Sequence, residues 1–141
     1  MAKTHAIAVA VALTCTAVGL AGPAWADDQL DGDYTVVDGP TTTTWNISMQ
    51  CNAEHTCGGM ISTSRGWVGA INRVTGGPWT AERNDVEAGW TCPDGSTGPA
   101  DLLYSFDPAT LVGTVSYTSN PGVCGDPNSG HGQNPVSLQP A

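Results

Sequence analysis

Residues 102–117 read LLYSFDPATLVGTVSY and carry the clearest structural signal in the chain. Apolar and aromatic side chains recur at every second position on both sides of segment 107–110, a pattern that is typical of half-buried strands. The segment between them, Asp-Pro-Ala-Thr, has the composition of a tight turn. The stretch therefore predicts an antiparallel β-hairpin.

The same two-residue periodicity occurs upstream, where Trp45, Ile47 and Met49 share one side of an extended run from 42 to 50. The shorter candidate strands are 34–37, 58–63, 67–71, 79–82, 88–92 and 136–139. Turn-forming clusters of Gly, Pro and Asp separate them, and helix patterns are nearly absent. Eight or nine short strands predict an all-β domain, either a small antiparallel barrel or a sandwich.

Segment 120–134 is rich in Gly, Pro and Asn, and we expect it to be a loop pinned at Cys124. Residues 27–33 and the last few residues of the chain are expected to be frayed, as termini commonly are.

The N-terminal segment has the layout of a secretory signal peptide. Lys3 supplies a positive charge, an apolar run extends from 6 to 20, and Ala24-Trp25-Ala26 offers small residues at the positions that a signal peptidase reads. Cleavage after Ala26 is expected to leave residues 27–141 as a single secreted β-domain, extracellular or associated with the cell wall. The apolar run is shorter than the roughly 20 residues of a membrane span, so we expect no retained span.

Four cysteines remain after that cleavage: Cys51, Cys57, Cys92 and Cys124. An even number in a short exported chain predicts two disulfides, for which three connectivities are possible. We favour pairing of neighbours, Cys51–Cys57 and Cys92–Cys124, because it needs no crossing of the chain. The C-x2-C knuckles of a four-cysteine zinc site are absent.

The expected mature domain is strongly acidic. Three arginines remain against 13 carboxylates, which gives a net charge of 3 − 13 = −10 with histidine neutral. Such a chain is repelled by nucleic acid and by anionic membrane surfaces. We therefore expect no nucleic-acid partner.

Several short motifs, which we call marks, follow one another along the chain. Their order resembles that in the extracellular sensor domains of some mycobacterial serine/threonine protein kinases, and in small secreted proteins of the same actinobacteria. The marks are Trp45 to Cys51, Cys57-Gly58-Gly59, Trp79 after a Gly-rich turn, Cys92 with Asp94-Gly95, the hairpin 104–117, and Cys124-Gly125. The resemblance implies an antiparallel β-domain outside the membrane with neighbour disulfides. It implies a binding or surface role and names no ligand.

Trp67 is the candidate ligand-binding residue. Four tryptophans in the expected mature domain are many for its size, and core filling accounts for most such residues. Trp67 differs because Arg65-Gly66 precedes it and Gly69 follows, a flexible setting suited to a ring that stacks on a ligand.

The sequence offers only weak candidates for catalytic or metal-binding residues. Glu54-His55 and His131 lack a third catalytic or ligating group, and the acidic cluster 27–33 lacks the order of a calcium loop. We therefore predict no metal site, no cofactor and no catalytic residue. The function expected is a secreted non-enzymatic binding or surface module, whose partner is a small ligand or an extracellular protein. The alternatives are a small hydrolase with paired carboxylates (Glu82, Asp85 and Glu87) and a cell-wall or host-facing structural protein.

Overall fold

A computed structural model of the chain describes residues 30–141, so the predicted signal peptide lies outside the described residues. Eight strands form the domain: β1 (Gly32–Asp38), β2 (Thr41–Cys51), β3 (Cys57–Thr63), β4 (Val68–Arg73), β5 (Trp79–Thr91), β6 (Thr97–Phe106), β7 (Val112–Ser119) and β8 (His131–Pro140). A short 3₁₀ turn occupies Val123–Gly125.

The strands form a closed antiparallel barrel in which each strand pairs with its neighbours in sequence and β8 returns to β1. Of the two predicted architectures, the barrel is confirmed. Closure removes the exposed sheet edges that a sandwich would leave. The predicted hairpin is confirmed as β6–β7, and the Asp107 carboxylate holds its turn by accepting the backbone N–H groups of Ala109 and Thr110 at 2.8 and 3.0 Å.

Two predicted strands, 79–82 and 88–92, belong to one strand, β5. Its pairing with β6 shifts register between Arg83 and Val86 and again between Val86 and Trp90. These bulges interrupt the alternation of apolar residues, which is why one bent strand looked like two in the sequence.

The boundary between β4 and β5, which we call the seam, has the shortest paired stretch in the barrel. Only two residue pairs join these strands, Ile71 with Ala81 and Asn72 with Thr80, although β5 continues to Thr91. Before Ile71 on β4 and after Ala81 on β5 the two strands are not paired, and this unpaired part of the seam lies beside Trp67.

The core fills the barrel from inward-facing residues of all eight strands. The largest fully buried side chains are Trp45, Trp79, Phe106, Ile47, Ile61, Ile71 and Val115. One end of the barrel carries the turns 52–56, 74–78 and 107–111, and we call it the closed end. Leu30, only 3% exposed, joins the core there just ahead of β1.

The expectation of frayed ends was therefore wrong for most of the described part of 27–33 and for the C-terminal strand. Leu30 is buried and β1 begins at Gly32, while β8 continues to Pro140 because it pairs with β1. The predicted loop 120–134 was also too long, since β8 begins at His131 and pairs with β7.

Both disulfides have the predicted pairing, Cys51–Cys57 and Cys92–Cys124. The first joins the ends of β2 and β3, and the second ties the turn after β5 to the loop between β7 and β8. Two disulfides are compatible with an extracellular location. Within residues 30–141, no helix is long and apolar enough to cross a membrane.

Candidate functional site

The barrel interior is not filled at the end opposite the closed end. This open end carries the turns 39–40, 64–67 and 92–96 and the loop 120–130. A cavity of about 260 Å³ lies there, lined by residues of five strands and of the turn before β4. Eight-stranded barrels have interiors that either fill with side chains or hold one small ligand. This barrel is filled at its closed end and hollow at its open end.

Apolar residues form the floor of the cavity. Val36, Trp45 and Leu102 line it from β1, β2 and β6, and each is at most 6% exposed. They belong to the same alternating inward set as the core, so the floor is continuous with it. An apolar surface of this kind favours the uncharged part of a ligand.

Trp67, the predicted ligand-binding residue, lines this cavity and is half-buried. Its ring meets Trp45 edge-on, with 5.3 Å between centroids, and lies nearly parallel to Tyr104 at 6.4 Å. Both arrangements are favourable for aromatic rings. Trp67 therefore supports the core and forms a cavity wall, and its contact with a ligand stays a prediction.

Arg83 of β5 lines the cavity next to Trp67. Its guanidinium carbon lies 4.3 Å from the centroid of the Trp67 ring, within the range of a cation–π interaction. Tyr104 lines the same cavity, close enough for Arg83 to act on its hydroxyl. Burial raises the pKa of Tyr104; the Arg83 side chain opposes this effect, and the Asp38 charge adds to it. The Trp67 ring thus holds the Arg83 head group at the cavity wall, near the Tyr104 hydroxyl.

Asp38 and Tyr117 form the second polar pair. The Tyr117 hydroxyl donates a hydrogen bond to Asp38 Oδ2 at 2.9 Å and so links β7 to β1. Burial raises the pKa of Tyr117 well above its ordinary value, and the Asp38 acceptor raises it further, while a hydrogen bond with Asn134 opposes the shift. The phenol therefore stays protonated and keeps donating to the carboxylate throughout the neutral range.

A second cavity of about 300 Å³ adjoins the first on the outer side of Tyr117 and Gly89, which line both. Trp90 and residues 132–134 form its remaining wall together with Thr91. Of the four tryptophans in residues 30–141, Trp45, Trp67 and Trp90 thus lie around the open end or beneath it, whereas Trp79 is buried and lies under Arg73.

The carboxylates of the hydrolase alternative lie elsewhere. Glu82, Asp85 and Glu87 are exposed and are absent from the cavity lining. The Asp85 carboxylate accepts a hydrogen bond from the Asn120 side chain at 3.1 Å, and the Asp85 N–H donates to Asp101 Oδ1 at 2.8 Å. This environment is that of a turn-stabilising surface group.

The histidine-bearing segments are also separate from the cavity. Glu54 and His55 lie in the turn that Cys51–Cys57 closes, and His131 is exposed at the start of β8, 3.4 Å from the Thr118 hydroxyl. In the part of the chain that the structure describes, no group of three or more His, Cys, Asp or Glu side chains could hold a metal ion.

Asp38, Arg83, Tyr104 and Tyr117 were not singled out from the sequence, although one signal was present. Arg83 follows Trp79 and Ala81 at every second position, so the period of the strand points it inward. A charged residue on the inward side of a small barrel indicates an incompletely filled interior, because burial of an unpaired charge is costly.

Comparisons with known proteins found no match to this chain among protein-family models, curated proteins or solved structures. The resemblance to kinase sensor domains accordingly remains a prediction from the order of residues.

Proposed function

We propose that the domain acts outside the cytoplasm as a non-enzymatic module that binds one small ligand in the open-end cavity. The observation that carries this proposal is the contrast between the two ends of one interior. The closed end is filled, whereas the open end leaves about 260 Å³ lined by apolar, aromatic and charged side chains. Ligand sites commonly combine an apolar surface with a few polar groups that converge on it.

The position of Trp67 supports this proposal. Its ring is held by Trp45 on one side and lies beside Arg83, so little side-chain freedom would be lost when a ligand arrives. Preorganised aromatic side chains bind at low entropic cost. The two disulfides, which suit an oxidising compartment, support the extracellular part of the proposal.

The test is mass spectrometry of the protein recovered from the culture medium of its own host. Under native conditions we expect a mass in excess of the chain that begins at Asp27 with two disulfides, and we expect the excess to vanish on denaturation. A bare mass would favour a surface or protein-binding role instead. The uncleaved chain, found only with membranes, would overturn the extracellular assignment.

Fluorescence then tests the site with the ligand so identified. Binding in the open-end cavity should change tryptophan emission in the wild type and in Trp90→Phe, which removes the indole of the neighbouring cavity. The change should be lost or strongly reduced in Trp67→Phe, which keeps an aromatic ring and limits the disturbance of the core. A response that survives in Trp67→Phe and disappears in Trp90→Phe would move the site to the neighbouring cavity.

A further inference from the structure

Charge is distributed unevenly in the barrel. The lining of the open-end cavity differs in the sign of its net charge from the domain as a whole. Residues 30–141 contain 11 of the 13 carboxylates, since Asp27 and Asp28 precede them, and three cationic side chains, all arginines. Two of those three, Arg65 and Arg83, line the open-end cavity, whereas Asp38 is the one carboxylate that does. The cavity lining therefore carries a net positive charge inside a strongly acidic domain.

The single carboxylate of the lining already has a partner. Tyr117 donates to Asp38 Oδ2, and its raised pKa keeps the phenolic proton in place. The hydrogen-bond partner of Asp38 is thus a neutral phenol and not an arginine, and two arginines against one carboxylate leave the lining with a net positive charge.

Arg83 is positioned without a carboxylate partner. Within residues 30–141 its guanidinium lies over the Trp67 ring and near the Tyr104 hydroxyl, and neither group carries a negative charge. A half-buried cation without a counter-ion is unfavourable, and an anion that enters the cavity would relieve this cost. A guanidinium donates two parallel hydrogen bonds to a carboxylate, so a carboxylate is an anion whose geometry matches the Arg83 head group.

The other residues of the lining limit the polarity and the size of the rest of the ligand. Trp45 and Leu102 offer an apolar floor, and Trp67 offers an aromatic wall next to the Arg83 head group. The volume of about 260 Å³ equals that of about nine water molecules, at roughly 30 Å³ for each. A single ring or a short chain with one acidic group suits this space, and a long-chain lipid does not.

We infer that the open-end cavity takes a small amphipathic carboxylic acid, with its carboxylate on Arg83 and Arg65 and its apolar part against Trp67 and the floor. This inference rests on the proposed function and specifies its ligand class.

The experiment compares three probes of nearly the same shape and different charge: phenylacetate, phenylacetamide and phenethylamine. Each is titrated into the mature, disulfide-bonded domain and followed by NMR through the indole N–H signals and the Arg Nε–H signals. We expect phenylacetate to bind about tenfold or more tightly than the neutral amide, as the loss of one charge-assisted interaction implies. The cationic amine should bind weakest.

Arginine variants provide the matched control. In Arg83→Gln the preference for the acid over the amide should fall to near one, and in Arg65→Gln it should fall partly. Arg73→Gln should keep the preference of the wild type, because Arg73 lies at the closed end, where it donates to the Gly77 carbonyl at 2.8 Å and lies over Trp79. The NMR spectra of the three variants also report whether each is folded.

Three outcomes would overturn the inference. If the amide or the amine binds as tightly as the acid with shifts at Trp67, the cavity binds ligands but not because of their charge, and the proposed function stands. If Arg73→Gln and Arg83→Gln weaken the acid equally, the attraction is a general charge effect. If none of the three probes binds, the ligand class is wrong, and the native mass measurement decides the proposed function separately.

Discussion

The Arg83 guanidinium lies 4.3 Å from the centroid of the Trp67 ring, at the point where strands β4 and β5 are no longer paired. Trp67 ends the turn before β4 and Arg83 lies on β5, so the interaction spans the open part of this seam. Cation–π pairs contribute about 0.5 to 2 kcal/mol, depending on how far they are desolvated. The pair thus joins the two strands by side chains where backbone pairing is missing, and it forms one wall of the cavity.

Gly69→Ala tests whether the position of Trp67 controls the cavity. A Cβ at Gly69 would stand 3.1 Å from the Trp67 ring, so the ring must shift by a few tenths of an ångström within the cavity lining. We expect weaker binding of a cavity probe such as phenylacetate, by about three- to tenfold, with a change in unfolding free energy below about 1 kcal/mol.

Gly58→Ala is the matched control on the neighbouring strand β3. Its Cβ would meet only Asn72 Oδ1, at the ordinary distance of 3.4 Å. It should leave binding unchanged. Equal binding by the wild type and Gly69→Ala would show that the ring adapts and that its position does not limit binding.

Tyr117→Phe tests the hydrogen bond between β7 and β1. Because burial and then the Asp38 acceptor raise the folded-state pKa of Tyr117, the folded state holds the phenolic proton at pH values where the unfolded state has lost it. The stability due to this group is complete below the unfolded pKa of about 10 and is lost as the pH rises through the folded value. Urea unfolding of the wild type should therefore show a decline in stability above about pH 10.

In Tyr117→Phe that decline should be smaller, though still present, since burial also raises the pKa of Tyr34 and Tyr104. Near neutral pH the variant should be less stable by about 1 to 2 kcal/mol, the value of a hydrogen bond to a charged group at a half-buried site. Parallel pH profiles for the two proteins would contradict the assigned role of the Tyr117 proton.

The two disulfides should differ in their contributions to stability. Cys92–Cys124 closes a loop with a sequence separation of 32 residues, and Cys51–Cys57 one of 6. Chain entropy gives about 3.7 kcal/mol for the longer loop and about 2.4 kcal/mol for the shorter one. The double variant Cys92→Ser/Cys124→Ser should therefore unfold at a lower urea concentration than Cys51→Ser/Cys57→Ser. The opposite order would show that strain or residual unfolded structure outweighs loop length.

Gly113→Ala should be among the most destabilising small substitutions in the barrel. A Cβ at this position would stand 1.7 Å from the Ser105 carbonyl oxygen and 2.8 Å from Phe106 Cα. Both are backbone atoms of β6, so β6 and β7 would have to separate. We expect a loss of about 3 kcal/mol or more, measured by thermal or urea unfolding. Val112→Ala is the adjacent control, since Val112 is 55% exposed, and a similar loss in both variants would contradict this account.

The amino-acid pattern determines most of the strand content and favours the disulfide pairing that the structure has. Alternation in 102–117 and 42–50 identifies inward and outward sides because the period of a strand is two residues. Neighbour pairing of the four cysteines was favoured because it needs no crossing of the chain. The β2–β3 hairpin brings Cys51 to Cys57, whereas Cys92 lies beside Cys124 only once β5, β6 and β7 have paired. The same local rules explain the misjudged elements: the bulges of β5 break the period, and the start of β8 has a loop-like composition that pairing with β7 overrides.

The closed barrel and the cavity were decided by tertiary structure. Whether β8 pairs with β1 depends on the sum of strand twist and register around eight strands, which no single segment contains. Trp67 could be chosen from its flexible neighbours, but Asp38, Arg83 and Tyr117 come from β1, β5 and β7 and meet only after closure. The volume of the cavity is the interior volume of the barrel minus the volume of the side chains that point into it. That difference exists only in the folded domain.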